Sequence, residues 1–135
     1  MNDLVKVLLI DDEDDFCFFV KGNLERTGRF QVLTADNGAL GLEMAKQFTP
    51  DIVLLDLVMP DMSGDEVASW FHYDPDLSHI PIIFLTAIVT KEETGEDNYQ
   101  EIGGRLFIAK PIATAELIGS IDKRLGSNSG EKERQ

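Results

Sequence analysis

Short apolar runs alternate along the chain with stretches in which apolar residues recur every three or four positions. The runs are rich in β-branched residues, which is typical of strands covered on both faces of a sheet; they are residues 5–10, 30–35, 52–55, 81–85 and 106–109. The intervening spacings predict amphipathic helices, with apolar positions at Phe16, Phe19, Val20 and Leu24, then Leu40, Met44 and Phe48, then Val67, Trp70 and Phe71, and finally Leu117, Ile118, Ile121 and Leu125.

Two polar segments interrupt this regularity. The alternation places a helix over residues 90–102, although Gly95 and Asn98 are poor helix formers. The segment 126–135 is polar and predicts a flexible tail or the start of a linker. Repeated strand–helix units predict one α/β domain over residues 1–125, with a five-stranded parallel sheet and five helices on its two faces.

Composition narrows the possible functions. The chain of 135 residues has a formal net charge of −13, which repels nucleic acid and anionic lipid headgroups. No stretch approaches the roughly 18 apolar residues that span a bilayer. The single cysteine, Cys17, cannot form an internal disulfide and is expected to be packed inside, as part of the first helix. These features favour a cytoplasmic protein that binds neither nucleic acid nor membranes.

Polar residues follow four of the predicted strands. Asp11 and Asp12 follow the first strand, Asp56 the third, Thr86 the fourth and Lys110 the fifth. Ligands of open parallel sheets bind at the carboxyl ends of the strands, so we expect these side chains to converge. Clustered carboxylates repel each other unless a hard cation such as Mg²⁺ lies among them. The remaining carboxylate could then act as a nucleophile toward a phosphoryl group.

Four motifs at these strand ends resemble those of a known family, the receiver domains of two-component response regulators. The resemblance covers about residues 4–125 and is carried by LLIDDED (8–14), LLDLVMPDMSG (54–64), FLTA (84–87) and FIAKP (107–111). It implies the doubly wound, flavodoxin-like sheet with strand order 2-1-3-4-5.

The resemblance also implies a role for each strand-end carboxylate. Asp56 corresponds to the phosphoacceptor. Asp11 and Asp12 correspond to the acidic pair that holds Mg²⁺, with Asp12 as the expected direct ligand. Asp56 and the backbone carbonyl of Val58 would complete the protein's share of the metal site. The other acids of the run, from Glu13 to Asp15, are expected to interact mainly with the helix dipole.

Further positions of the family concern switching. Thr86 and Lys110 correspond to the residues that grip the phosphoryl group, and the peptide bond after Lys110 is cis in most of the family. Phe107 stands at the place of the switch aromatic, although an aromatic residue in a strand is often simply part of the core. Val58 and Ile88 flank the path of the attacking water. Neither side chain can hydrogen-bond a water molecule, so a slow loss of the phosphoryl group is expected.

The function implied is that of a phosphoryl-accepting switch, which catalyses only its own phosphorylation and dephosphorylation. The donor would be a sensor histidine kinase or a histidine phosphotransfer protein. The face formed by the predicted fourth helix, fifth strand and fifth helix would then bind an effector or output domain, or form a homodimer. One alternative is an interaction module that does not depend on phosphorylation. Another is a magnesium-dependent phosphohydrolase, for which the sequence offers no general acid.

Overall fold

The computed structural model describes residues 3–87, 99–102 and 105–133, and places ten secondary-structure elements along them. The strands are β1 (Val5–Ile10), β2 (Phe30–Ala35), β3 (Ile52–Asp56), β4 (Ile82–Thr86), β5 (Tyr99–Ile102) and β6 (Arg105–Ala109). The helices are α1 (Asp14–Arg26), α2 (Gly38–Phe48), α3 (Gly64–Tyr73) and α4 (Thr114–Glu133). None of the helices in these ranges has the length and apolar character that crossing a bilayer requires.

One sheet joins all six strands in the order β2-β1-β3-β4-β6-β5. The first five strands of that order are mutually parallel, and β6 corresponds to the predicted fifth strand. The predicted doubly wound topology is therefore confirmed. β5 is an addition, because it extends the sheet by pairing antiparallel with β6, with Ile102 opposite Arg105.

The prediction of a helix over residues 90–102 is wrong for its last part. Residues 99–102 form strand β5, and residues 90–98 lie outside the described residues. The described part of the chain accordingly holds four helices rather than five. The sequence contained the signal for this difference: Gly103 and Gly104 separate two short runs that contain Tyr99, Ile102 and Phe107. Two glycines between β-favouring runs are typical of a hairpin.

The last helix is longer than predicted. α4 continues past Leu125, the predicted end, and ends at Glu133. Most of the segment 126–135, predicted to be a polar tail or linker, is thus helical. Extending an existing helix adds one hydrogen bond for each residue fixed, and no proline interrupts this segment. Gly126 therefore lies within the helix instead of ending it.

The core lies on both faces of the sheet because alternate residues of each strand point to opposite sides. In β1, Val7 and Leu9 pack with α1 and α4, whereas Leu8 and Ile10 pack with α2 and α3. The buried positions of α1 are Cys17, Val20 and Leu24, so the expected burial of the cysteine is confirmed.

Two aromatic residues that the helical spacing grouped with core positions are instead largely exposed. Phe19 of α1 is 56% exposed, and Trp70 of α3 is also 56% exposed. In α1 the neighbouring Cys17 takes a core position instead of Phe19. The buried face of α1 therefore runs through Cys17, Val20 and Leu24, and Phe19 lies outside it.

The connection from β3 to α3 folds back tightly onto the end of β3. The N–H of Gly64 donates to the carbonyl of Leu57 at 2.8 Å. A Cβ atom at Gly64 would overlap with the carbonyl oxygen of Asp56 and with the Cα of Leu57. Since both are backbone atoms, no side-chain rotation could relieve the overlap.

Substitution of Gly64 should therefore destabilise the fold. We expect Gly64→Ala to lower the free energy of unfolding by about 1–3 kcal/mol, as overpacking does elsewhere. Gly22→Ala is the matched control, because Gly22 lies within α1 with nothing within 4 Å of the added Cβ. That control should be neutral or stabilising by up to about 1 kcal/mol. Urea unfolding of the three proteins measures both effects, and equal stabilities would contradict the prediction.

Candidate functional site

Three carboxylates converge at the carboxyl edge of the sheet. Asp11 and Asp12 are the first two residues after β1, and Asp56 is the last residue of β3, the neighbouring strand. One oxygen from each carboxylate lies within 4.8 Å of the other two. Asp11 and Asp56 are buried and Asp12 is exposed. The donor set consists entirely of oxygen and opens toward solvent at Asp12, which suits Mg²⁺.

Asp11 is held in place from several directions. Its backbone N–H donates to the carbonyl of Ala35 at 3.0 Å, which extends the pairing between β1 and β2. Its Oδ1 accepts from the N–H of Glu13 at 2.9 Å, and its Oδ2 accepts from Nζ of Lys110 at 3.0 Å. The thiol of Cys17 donates to its carbonyl oxygen at 3.3 Å. These contacts fix the orientation of the carboxylate before any metal binds.

Asp56 carries an unfavourable charge. Burial raises its pKa to about 6, and the negative charges of Asp11 and Asp12 add to that effect. Lys110 and the N–H of Val58, which donates to Oδ1 of Asp56 at 3.4 Å, oppose it only in part. Burial also raises the pKa of Asp11, against the hydrogen bonds from Glu13 and Lys110. A bound dication would relieve this repulsion.

Lys110 brings a positive charge to the site from the end of β6. Its backbone N–H donates to the carbonyl of Thr86 at 2.9 Å, and the Lys110–Pro111 bond is cis, as the resemblance implies. Its side chain is only 9% exposed. Burial alone would lower the pKa of Lys110, but hydrogen bonds to Glu13 and Asp11 outweigh burial and raise it. The ammonium is therefore charged at neutral pH.

The remaining predicted positions surround this centre. Thr86 ends β4, is fully buried and pairs with Ala109 of β6. Phe107 is half-buried and stacks on Phe84, with 4.9 Å between the ring centroids. Val58 is 58% exposed beside Asp56. Ile88 lies outside the described residues.

Sequence reasoning missed the contacts of Glu13 and Phe16. Glu13 is the N-cap residue of α1, yet its side chain makes no capping hydrogen bond. Its Oε1 accepts from Nζ of Lys110 at 2.6 Å instead. The same ammonium lies over the ring of Phe16, with 4.4 Å between Nζ and the ring centroid. The contact of Glu13 with Lys110 adds to its expected interaction with the helix dipole, and no local sequence signal distinguishes Glu13 from Asp14 and Asp15.

Comparison with known proteins places this arrangement in a family. The model of the response regulator receiver domain matches residues 7–122. The polar-differentiation response regulator DivK of Brucella anthropi is 31% identical over 120 residues, covering 89% of this chain and 95% of its own. The chemotaxis protein CheY4 of Vibrio cholerae has a TM-score of 0.75 at 26% identity, covering 90% of this chain and 98% of its own. A receiver domain from Methanoculleus marisnigri has a TM-score of 0.67 at 32% identity, covering 90% and 96%.

The chain therefore belongs to the response regulator receiver domains. It is a signalling domain of the CheY-like class, and the phosphoacceptor function of that class fits the site. Receiver domains generally bind Mg²⁺ in an acidic pocket, and Asp11, Asp12 and Asp56 form an acidic cluster that could hold such an ion.

Neutralising Asp56 should stabilise the metal-free protein. A pKa of about 6 against an ordinary value of 3.8 corresponds to a cost of at most about 3 kcal/mol for the ionised, folded form. The raised pKa of Asp56 therefore does not lower the free energy of unfolding below about pH 4, where the carboxyl is protonated in both states. The cost appears as the pH rises through 6, where the folded protein must ionise it. We therefore expect Asp56→Asn to raise the free energy of unfolding above pH 6, and the gain over wild type to disappear near pH 4.

Chemical unfolding in the presence of a chelator, at several pH values, measures this difference. Asp76→Asn is the matched control, because Asp76 is exposed and lies in the connection between α3 and β4. The control should change stability by less than about 0.5 kcal/mol. A gain from Asp56→Asn that is independent of pH would contradict the electrostatic explanation.

Proposed function

We propose that Asp56 accepts a phosphoryl group from the phosphohistidine of a sensor histidine kinase or a histidine phosphotransfer protein. The convergence of three carboxylates from two neighbouring strands, with the ammonium of Lys110 opposite them, carries this proposal. Such a site gathers negative charge that a dication can balance, and it leaves one carboxylate as nucleophile. The domain would act in the cytoplasm, consistent with its single, buried and unpaired cysteine.

Asp11, Asp12, Asp56 and the carbonyl of Val58 would hold the metal. Mg²⁺ there would supply positive charge to the oxygens of the transferring phosphoryl group. An oxygen of Asp56 forms a bond to phosphorus while the bond from phosphorus to the imidazole nitrogen breaks, and that electron pair remains on the imidazole. The product is an aspartyl phosphate. Lys110 and the hydroxyl of Thr86 donate hydrogen bonds to its oxygens, and hydrolysis later returns the carboxylate.

The phosphoryl group on Asp56 would also change the shape of a surface away from the site. Thr86 and Phe107 lie on the adjacent strands β4 and β6, so a shift of Thr86 toward the phosphoryl group changes the space beside Phe107. Phosphorylation then favours one of two arrangements that the free domain already samples. The surface around β6 and α4 would bind an effector or output domain, or a second copy of the chain.

The chemistry can be tested directly by intact-mass spectrometry after incubation with acetyl phosphate and Mg²⁺. Wild type should gain a single adduct with the mass of one phosphoryl group, and a chelator should prevent its formation. Asp56→Ala should gain none, whereas the surface control Asp76→Asn should behave like wild type. Absence of any adduct on wild type would instead favour an interaction module that does not depend on phosphorylation.

The lifetime of the phosphoryl group should depend on Val58. Its exposed side chain stands beside Asp56 and offers no hydrogen bond to an attacking water. We expect slow hydrolysis in wild type and acceleration of roughly tenfold or more in Val58→Asn, whose amide can orient the water. Decay of the adduct after removal of acetyl phosphate gives the rate.

A smaller substitution separates hydrogen bonding from crowding. Val58→Ala removes bulk without adding a polar group, so it should accelerate decay less than Val58→Asn does. A wild-type half-life of seconds, or no change on Val58→Asn, would refute the expectation for this position.

A further inference from the structure

The ammonium of Lys110 forms its hydrogen bonds with acidic residues at the junction between β1 and α1, and not with the proposed phosphoacceptor, Asp56. Nζ lies 2.6 Å from Oε1 of Glu13 and 3.0 Å from Oδ2 of Asp11. It also lies 4.4 Å from the centroid of the Phe16 ring. Its distance to Oδ1 of Asp56 is 4.0 Å, which is too long for a hydrogen bond. The shortest contact of this ammonium is therefore made by a residue outside the carboxylate cluster.

A bound metal would affect these two acidic partners differently. Asp11 belongs to the group of three carboxylates, so a dication there would share its negative charge and weaken its attraction for Lys110. Glu13 is absent from that group, as far as the described residues were searched. Its attraction for the ammonium would persist in the metal-bound domain. Glu13 is then the partner from which an incoming phosphoryl group must draw the ammonium.

Glu13 has no evident structural role besides this contact. Its side chain is 61% exposed and, although it occupies the N-cap position of α1, it makes no capping hydrogen bond. Asp14 and Asp15 supply the negative charge of the first helical turn. Replacing the Glu13 side chain should therefore leave the fold intact and change mainly the freedom of Lys110.

We propose that Glu13 is a positioning residue that restrains Lys110 and thereby weakens the hold of the domain on its phosphoryl group. This inference rests on the proposed function, because it assumes that Lys110 grips a group on Asp56. Glu13 and the phosphoryl oxygens compete for the same ammonium. The balance between them sets the affinity for the phosphoryl group, and with it the fraction of domains in the phosphorylated arrangement.

The affinity for beryllofluoride, an anion that takes the place of the phosphoryl group on a carboxylate, tests this competition at saturating Mg²⁺. We expect Glu13→Gln to bind it roughly two- to fivefold more tightly than wild type, the range of a partly exposed ion pair. Asp14→Asn is the matched control, because it removes the same charge from the next residue, which is also exposed. It should change the affinity by less than Glu13→Gln does.

A third variant separates contact from charge. Glu13→Asp keeps the charge but shortens the side chain by one methylene, so it should bind beryllofluoride more tightly than wild type if the 2.6 Å contact matters. A readout without metal or anion is the nitrogen relaxation of the Lys110 ammonium in ¹⁵N-lysine-labelled protein. Glu13→Gln and Glu13→Asp should both increase its mobility, and Asp14→Asn should not.

The outcomes distinguish this inference from the proposed function. Absence of beryllofluoride binding by wild type would overturn both. Binding by wild type, with Glu13→Gln equal to Asp14→Asn or weaker than wild type, would overturn the inference alone. An affinity of Glu13→Asp equal to that of wild type would do the same, since it would assign the effect to the charge and not to the contact.

Discussion

The repulsion among Asp11, Asp12 and Asp56 is the constraint on which the rest of the site depends. Two of these carboxylates are buried, and burial together with the neighbouring charges raises the pKa of Asp56 to about 6. A chain selected only for stability would replace at least one of them. Their presence makes the metal-free domain less stable than its core would permit. The same feature creates an attraction for a dication, and under the proposed function one of these carboxylates would act as the nucleophile.

The fold supplies this constraint through its topology. β1 and β3 are neighbours with Ile10 opposite Leu55, so the residues that follow them reach the same edge of the sheet. β4 and β6 are paired up to Thr86 and Ala109, which brings Lys110 to that edge from the far side of β4. Gly64 closes the connection after Asp56 where only hydrogen fits against the backbone. The pairing of the strands thus brings the site residues to one edge of the sheet.

Much of this arrangement could be predicted from the sequence, because strand identity and strand ends are encoded locally. Apolar runs marked the five parallel strands, and the polar residues after them marked the site. The predictions that failed concern which of several similar residues makes a given contact, and which segment pairs with which. Residues 99–102 form a strand by pairing antiparallel with β6, so the glycine pair at 103–104 was a better guide there than the strand–helix alternation. In α1, Cys17 and not Phe19 occupies the core position. Glu13 differs from the neighbouring acids only in its contact with Lys110, which lies 97 residues away along the chain.

Cys17 has a practical consequence for future experiments. Its thiol is buried and donates to the carbonyl of Asp11, and burial, followed by the nearby acids, raises its pKa to about 12. Alkylating reagents and maleimide dyes react with thiolates, and this sulfur supplies almost none at neutral pH. A second cysteine introduced on an exposed helix face could therefore carry a fluorescent reporter while the native one remains in place, without disturbing the packing beside the acidic pocket.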